Sequence, residues 1–225
     1  MTHILDRPVW SALDTAHASF AEGDLRARRF VASIGSFAGT VDDRPESLAQ
    51  LAFLARCGGA LVLLQADPLR LPDAIRARRA EGVQMVADAD GLEADDPRIE
   101  RLGIADAAEM LELARAASPG PFTIRALELG DFWGIRVDGR LVAMAGERLR
   151  QPGYTELSGV CTLPEARGQG LARSLSLHVA AQIRRWGDVP YLHAYATNTG
   201  AIRLYESIGF KVRSTMHVAM VDPLV

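Results

Sequence analysis

The sequence predicts a mixed α/β protein in two parts: a smaller α/β segment over residues 1–105 and a mixed-sheet domain over 106–225. Three observations carry that prediction. Strand and helix patterns alternate through the first hundred residues. An Asp-Gly hairpin opens a series of apolar strands in the second part. A glycine-rich turn in "LPEARGQGLARSLSLHVAAQI", Leu163 to Ile183, leads without a break into an amphipathic helix.

In the first part, "RPESLAQLAFLARCGG" sets Leu48, Leu51, Ala52 and Ala55 at helical spacing and stops at Gly58-Gly59. "ALVLLQADP" reads as a buried strand, "LPDAIRARRAEG" as a short basic helix, and "VQMVADAD" as another strand. A boundary is expected in the acidic, Pro-containing stretch "ADDPRIERLG", residues 94–103. Beyond it, Asp106 is placed to cap a helix striped by Met110, Leu113 and Ala114 and ended by Pro119-Gly120-Pro121. "FWGIRVDGRLVAMAGERLR" is a hairpin with a type I′ turn at Asp138-Gly139. "YTELSGVCTL" is its third strand. A helix over 168–186 carries Leu171, Leu175, Val179, Ile183 and Trp186 on its apolar stripe. "VPYLHAYAT" is a strand. "NTGAIRLYESIGF" is a helix striped by Ala201, Leu204, Tyr205 and Ile208 and stopped at Gly209; "FKVRSTMHVAMV" closes the chain as a strand.

Composition narrows the function. The 225 residues are 48% hydrophobic and 24% charged with a net charge of −3, ordinary values for a water-soluble protein. No basic helix interleaved with aromatics suggests nucleic-acid binding. No apolar run is long enough for a membrane span and no leader pattern is visible, so a cytoplasmic setting is expected. Cys57 and Cys161 form neither a disulfide framework nor a metal motif. The one lysine, Lys211, sits in a strand pattern, which leaves little room for Schiff-base chemistry. Charge is uneven: between Val160 and Thr215 seven Lys and Arg stand against three acids. That segment would steer a multiply charged anion toward the glycine turn.

Strand, turn "PEARGQG" and helix in this order make an anion site, because the first N–H groups of a helix lack partners and the macrodipole is positive there. Gly168 and Gly170 permit close backbone approach. A P-loop is excluded by the missing lysine, and a Rossmann fingerprint by Arg173 at the third glycine position. The pattern [QR]-x-x-G-x-[GA] is matched by Arg167, Gly170 and Ala172.

With these neighbours, residues from about 122 to 217 resemble the GNAT superfamily of acyl-CoA N-acetyltransferases. The resemblance rests on "SGVCTLPEARGQGLARSL", the strand "PYLHAYA", and Asn198, Ala201, Tyr205, Gly209 and Phe210 in "NTGAIRLYESIGF". Within the superfamily it is most similar to the branch allied to the C-terminal part of glycine N-acyltransferases. It implies a GNAT-like domain with a splayed central sheet. The implied reaction is direct transfer of acetyl from acetyl-CoA to a primary amine of a small molecule, amino acid or peptide, in a ternary complex and with no metal. The pyrophosphate is expected on Arg167, Gly168, Gln169, Gly170, Leu171, Ala172 and Arg173. The pantetheine arm is expected along Val160, Cys161 and Thr162, with Asn198 against it. Tyr205 takes the family's general-acid position. Glu156 takes that of the base, acting directly or through water, although a strand-end glutamate of this kind is commonly just exposed. His193 and Tyr195 share a strand face toward the acceptor. Cys161 as an acyl-carrying nucleophile is disfavoured. The residues leave open a non-catalytic acyl-CoA sensor or interaction module. The resemblance also allows a homodimer and a first part that is a degenerate acyltransferase-like half.

Overall fold

Asp138 and Gly139 carry φ values of 50° and 80°, the two positive angles a type I′ turn demands. That turn joins Phe132–Val137 (β7) to Arg140–Gln151 (β8), and Tyr154–Thr162 (β9) follows as their antiparallel neighbour. Leu171–Arg185 (α4) then crosses back to Val189–Tyr195 (β10), which runs parallel to β9. A parallel pair requires such a crossover. Thr199–Ser207 (α5) ends before Gly209 at φ 94°, and Phe210–Val221 (β11) closes the chain. These elements agree with the sequence reading, except that Trp186 falls outside the stripe. It caps α4 and is 66% exposed.

The computed structural model describes residues 3–57, 59–72, 75–87, 96–117 and 120–221. Its first part contains Pro8–Asp14 (α1), Ala21–Gly23 (β1), Ala27–Phe30 (β2), Phe37–Thr40 (β3), Pro45–Arg56 (α2), Leu61–Gln65 (β4) and Ala77–Ala87 (β5). Ile99–Leu102 (β6) and Ala107–Ala117 (α3) lead into β7. Gly58, Pro119 and residues 88–95 of the sequence reading lie outside the described residues.

One expectation is corrected here. The helix expected over 71–82 is absent from its second half, where β5 begins at Ala77. β5 pairs antiparallel with β11 from Ala77↔Val221 to Ala87↔Phe210, and this ladder overrides the helical preference of the Ala/Arg-rich segment. The stretch read as a boundary contains β6, which pairs with β7 as an edge strand.

The eleven strands among the described residues form one sheet in the order β1-β2-β3-β4-β11-β5-β10-β9-β8-β7-β6. β5 lies between β11 and β10, and β11 lies between β4 and β5. Segments 1–105 and 106–225 therefore interlock through one exchanged strand each. With β6 set aside, the order is a palindrome: β1 to β5 occupy positions equivalent to β7 to β11. The likeness extends to connections, since β3 and β4 are parallel with α2 between them, as β9 and β10 are with α4 between them. Separate cores cover the sheet. One packs α3, α4 and α5 around Met144, Leu157, Leu175 and Phe210; another packs α1 around Phe30, Tyr191, Met216 and Val218. No helix among the described residues is long and apolar enough to cross a membrane.

Candidate active site

The parallel ladder between β9 and β10 has three registers, Val189↔Tyr154, Pro190↔Thr155 and Tyr191↔Glu156, and then stops. β10 stays paired with β5 as far as Tyr195↔Gly82 and β9 with β8 as far as Thr162↔Ala143, so the sheet splits between β9 and β10. A cavity of about 590 Å³ opens in the gap. It is lined by Leu157 to Thr162 on one side and by His193 to Tyr195 on the other. Its lining draws on both cores, with Cys161, Leu171 and Tyr205 from one and Phe37, Val62 and Met216 from the other. His193 and Ala194, successive residues of β10 and so on opposite faces, both line it, and the cavity reaches both faces of the sheet.

Next to the gap, β9 bulges. Met144↔Cys161 and Gly146↔Ser158 are paired, so Ala145 alone faces Gly159 and Val160. Gly159 has φ 63°, and a Cβ there would lie 2.9 Å from the Phe132 ring. The extra residue re-aims the backbone of Val160 to Thr162, whose edge toward β10 pairs with no strand although the other edge still pairs with β8. The Thr162 Oγ1 beside this edge is buried and has no protein hydrogen-bond partner.

The glycine turn closes one end. Gly168 and Gly170 have φ of 80° and 74°, and a Cβ on either would meet no atom within 4 Å. Gly170 is the N-cap of α4 and supplies no side-chain cap, so the first N–H groups of a fifteen-residue helix face open space. Arg167, Gly168, Gly170, Leu171, Ala172 and Arg173 all line the cavity; Gln169 is exposed and does not. An uncapped helix start, a glycine cradle with room in front of it and an orphaned hydroxyl beside a free strand edge suit a pyrophosphate-bearing thioester coenzyme.

Tyr205 lines the cavity, is 8% exposed and packs on Phe210 with ring centroids 6.0 Å apart. Burial pushes its hydroxyl up to about 12, so the phenol keeps its proton at neutral pH. Burial likewise pushes the Cys161 thiol up to about 12, which disarms it as a nucleophile. Asn198 both lines the cavity and caps α5, its Oδ1 accepting from Ala201 N at 3.2 Å.

Glu156 lies at the splay point and is fully buried, which rules against the alternative of a solvated strand-end carboxylate. Its Oε2 accepts from Arg148 Nε at 2.8 Å and Leu149 N at 3.3 Å. Its Oε1 accepts from Arg148 Nη2 at 2.7 Å and lies 2.6 Å from His193 Nδ1. Burial alone would raise the carboxyl, but the Arg148 charge and these hydrogen bonds outweigh it and hold the group at about 2. On its other side, His193 Nε2 lies 2.9 Å from Gln84 Nε2. Arg213 Nε donates to Gln84 Oε1, and Arg213 Nη2 to Asp6 Oδ1 at 2.7 Å. Because Arg213 only donates, it fixes the amide of Gln84 with its NH₂ toward His193. Nε2 of His193 must then accept, and the ring proton belongs on Nδ1, against Glu156.

Known proteins resemble this chain in both sequence and fold. A family model described as FR47-like protein matches residues 133–218. A protein from Novosphingobium aromaticivorans DSM 12444, assigned to the GNAT family of acetyltransferases, is 42% identical over 100% of both chains, and its crystal structure matches with a TM-score of 0.92. The chain belongs to the GNAT family. The GNAT fold is shared with a GCN5-related N-acetyltransferase from Kribbella flavida, at TM-score 0.67 and 18% identity over 99% of this chain and 97% of that one. A 48-residue stretch is 50% identical to mycothiol acetyltransferase of Thermobispora bispora, covering 21% of this chain but only 16% of that curated relative.

Within this GNAT chain, the structure gathers ten of the expected site residues around one cavity: Val160, Cys161, Thr162, Arg167, Gly168, Gly170, Leu171, Ala172, Arg173 and Asn198. Tyr205 joins them, whereas Gln169 and Glu156 do not line it. Sequence reasoning missed Gln84 and Arg213, whose partners are long-range, and Arg148, which a bulge in β8 brings onto Glu156. It also missed the Gly159 bulge, for which a glycine within a strand pattern was an available signal.

Proposed function

We propose that this GNAT chain transfers an acetyl group from acetyl-CoA to a primary amine of a small molecule, amino acid or peptide, by direct attack in a ternary complex. The observation that carries this reading is the cavity through the splay, which runs from the glycine cradle past Tyr205 to the opposite face of the sheet. Acetyl-CoA, when bound, supplies the activated acyl group as a thioester. The N–H groups of Gly168 to Arg173 bind its diphosphate. Thr162 and the free edge of β9 orient the arm, and the re-aimed backbone at the bulge offers an N–H to a developing oxyanion. Tyr205 holds the proton destined for the leaving sulfur. Glu156 serves as a positioning residue rather than the base, because four donors already engage its carboxylate and its proton affinity is low.

Residues 1–105 are read as a degenerate acyltransferase-like half. The palindromic strand order supports this, and so does the state of its equivalent gap. β3 and β4 pair at Phe37↔Val62 and Ala38↔Leu63 only. Past that point α1 fills the space: a Cβ on Gly39 would lie 2.8 Å from Trp10 N. Arg7 Nη1 reaches Thr40 Oγ1 and Gln65 Oε1, both at 3.0 Å, and Nη2 reaches Asp43 at 2.7 Å. About 10 Å³ remains, room for at most one water. Where α4 begins with glycine, α2 follows Asp42 and Asp43, whose charge repels phosphate.

The test is calorimetric titration of the purified chain with acetyl-CoA, CoA, ATP and NAD. Acetyl-CoA and CoA should bind at one site per chain, and ATP and NAD should not. Two sites would refute the closed first half; binding of ATP or NAD alone would refute the coenzyme assignment. Gly170→Val should abolish acetyl-CoA binding. The new side chain would project into the open cradle, and the left-handed φ adds about 1–2 kcal/mol of strain. Unchanged affinity in this variant would remove the diphosphate from the turn.

A further inference from the structure

We infer that the acceptor is an amine that also carries a carboxylate next to an apolar substituent, and that Arg148 reads the carboxylate. This inference rests on the acetyl-transfer reading and narrows it. Past the splay, the cavity is walled by Phe37, Val62, Leu64, Met216 and Val218, a surface fit for a branched aliphatic or aromatic group. Arg148 is the cation in this wall. Its Cζ sits 4.5 Å from the Phe37 ring centroid, which fixes the guanidinium plane. Nε and Nη2 are spent on Glu156, but among the described residues Nη1 donates to no protein acceptor, and it is not among the sealed polar atoms. A guanidinium held rigid on two nitrogens, in a side chain that lines a ligand cavity, is preorganised for an anionic group.

The converse is equally informative. No carboxylate lines the cavity among the described residues. Glu156 lies behind Arg148 with its oxygens engaged by four donors. A diamine or lysine-like acceptor would bring a second cation beside Arg148 into a wall that offers it no counter-charge. Stability does not explain the Arg148–Glu156 pair, since a buried ion pair is commonly no better than apolar packing. Ligand recognition does.

The experiment uses the full chain saturated with CoA and titrates four acetylated probes by calorimetry. They are N-acetyl-leucine, its neutral amide, N-acetyl-isopentylamine, which lacks the carboxylate, and the cationic N-acetylputrescine. The acid should bind about 10-fold or more tightly than each of the others, as expected for a charge-assisted hydrogen bond. Equal binding of the acid and its amide, tighter binding of the cation, or no binding of any probe to the CoA-loaded protein would overturn the inference. The double variant Arg148→Gln with Glu156→Gln removes both charges together and should level the preference; a retained preference would also overturn it. Failure of CoA itself to bind would be a different result, refuting the acetyl-transfer reading and this inference with it.

Discussion

Tyr205→Phe should lower kcat by about 10²-fold or more while leaving acetyl-CoA affinity unchanged. The substitution removes one hydroxyl that makes no hydrogen bond among the described residues, and keeps the ring that packs on Phe210. If Tyr205 served packing alone, the variant would turn over like the wild type. Steady-state kinetics with calorimetric coenzyme affinity separates the two roles. The pH profile adds an independent check. Tyr205 is raised to about 12 by burial, so the wild-type phenol remains an acid throughout the neutral and mildly alkaline range. Its deprotonation should therefore impose no fall in rate below about pH 10. An alkaline limb near neutrality that vanished in the variant would show that the phenol is far more acidic than its burial implies. The Cys161 thiol, similarly raised, should contribute no nucleophile in that range, and a covalent acyl-enzyme should not accumulate.

The second half of the chain was legible because its signals are local. Asp138-Gly139, the two glycines of the turn and Gly209 each require a backbone angle that few residues tolerate, and each carries it. The site residues near those signals were found with them. What sequence could not show depends on contacts between distant segments. The first half of β5 reads as helix because Ala and Arg favour helices, yet its ladder with β11 joins residues more than a hundred positions apart. The same exchange of strands brings Phe37, Val62 and Leu64 to the acceptor side of the cavity, which explains why the first part carries no motif of its own. Glu156 was visible as a strand-end carboxylate, but its environment was not. Arg148 reaches it because β8 bulges, with Arg148 and Leu149 both opposite Glu156. Gln84 reaches His193 only through the β5–β10 pairing.

Glu156→Gln is expected to destabilise the protein by about 3–5 kcal/mol at neutral pH, the usual result of stranding one member of a buried ion pair. Arg148 would lose its counter-charge, and the new NH₂ would point at either Arg148 or the Nδ1–H of His193, donor against donor. The sign of the pH dependence follows from the depressed carboxyl. Its ordinary value is 4.5 and its folded value about 2, so its contribution is fully present above about pH 4.5 and is lost as pH falls toward 2. Urea unfolding at pH 7 should show a large gap between wild type and variant, and at pH 3 a smaller one. Equal stabilities at pH 7 would mean that the pair contributes nothing to the fold. The same low value bears on mechanism. A carboxylate that binds a proton only near pH 2 has little power to take one from an alkylammonium at pH 7. The acidic limb of the wild-type rate should therefore follow the ionisation of the acceptor amine and move when the amine is changed. A limb fixed near one pH for amines of different basicity would identify a protein group as the base and return Glu156, or His193 beside it, to that role.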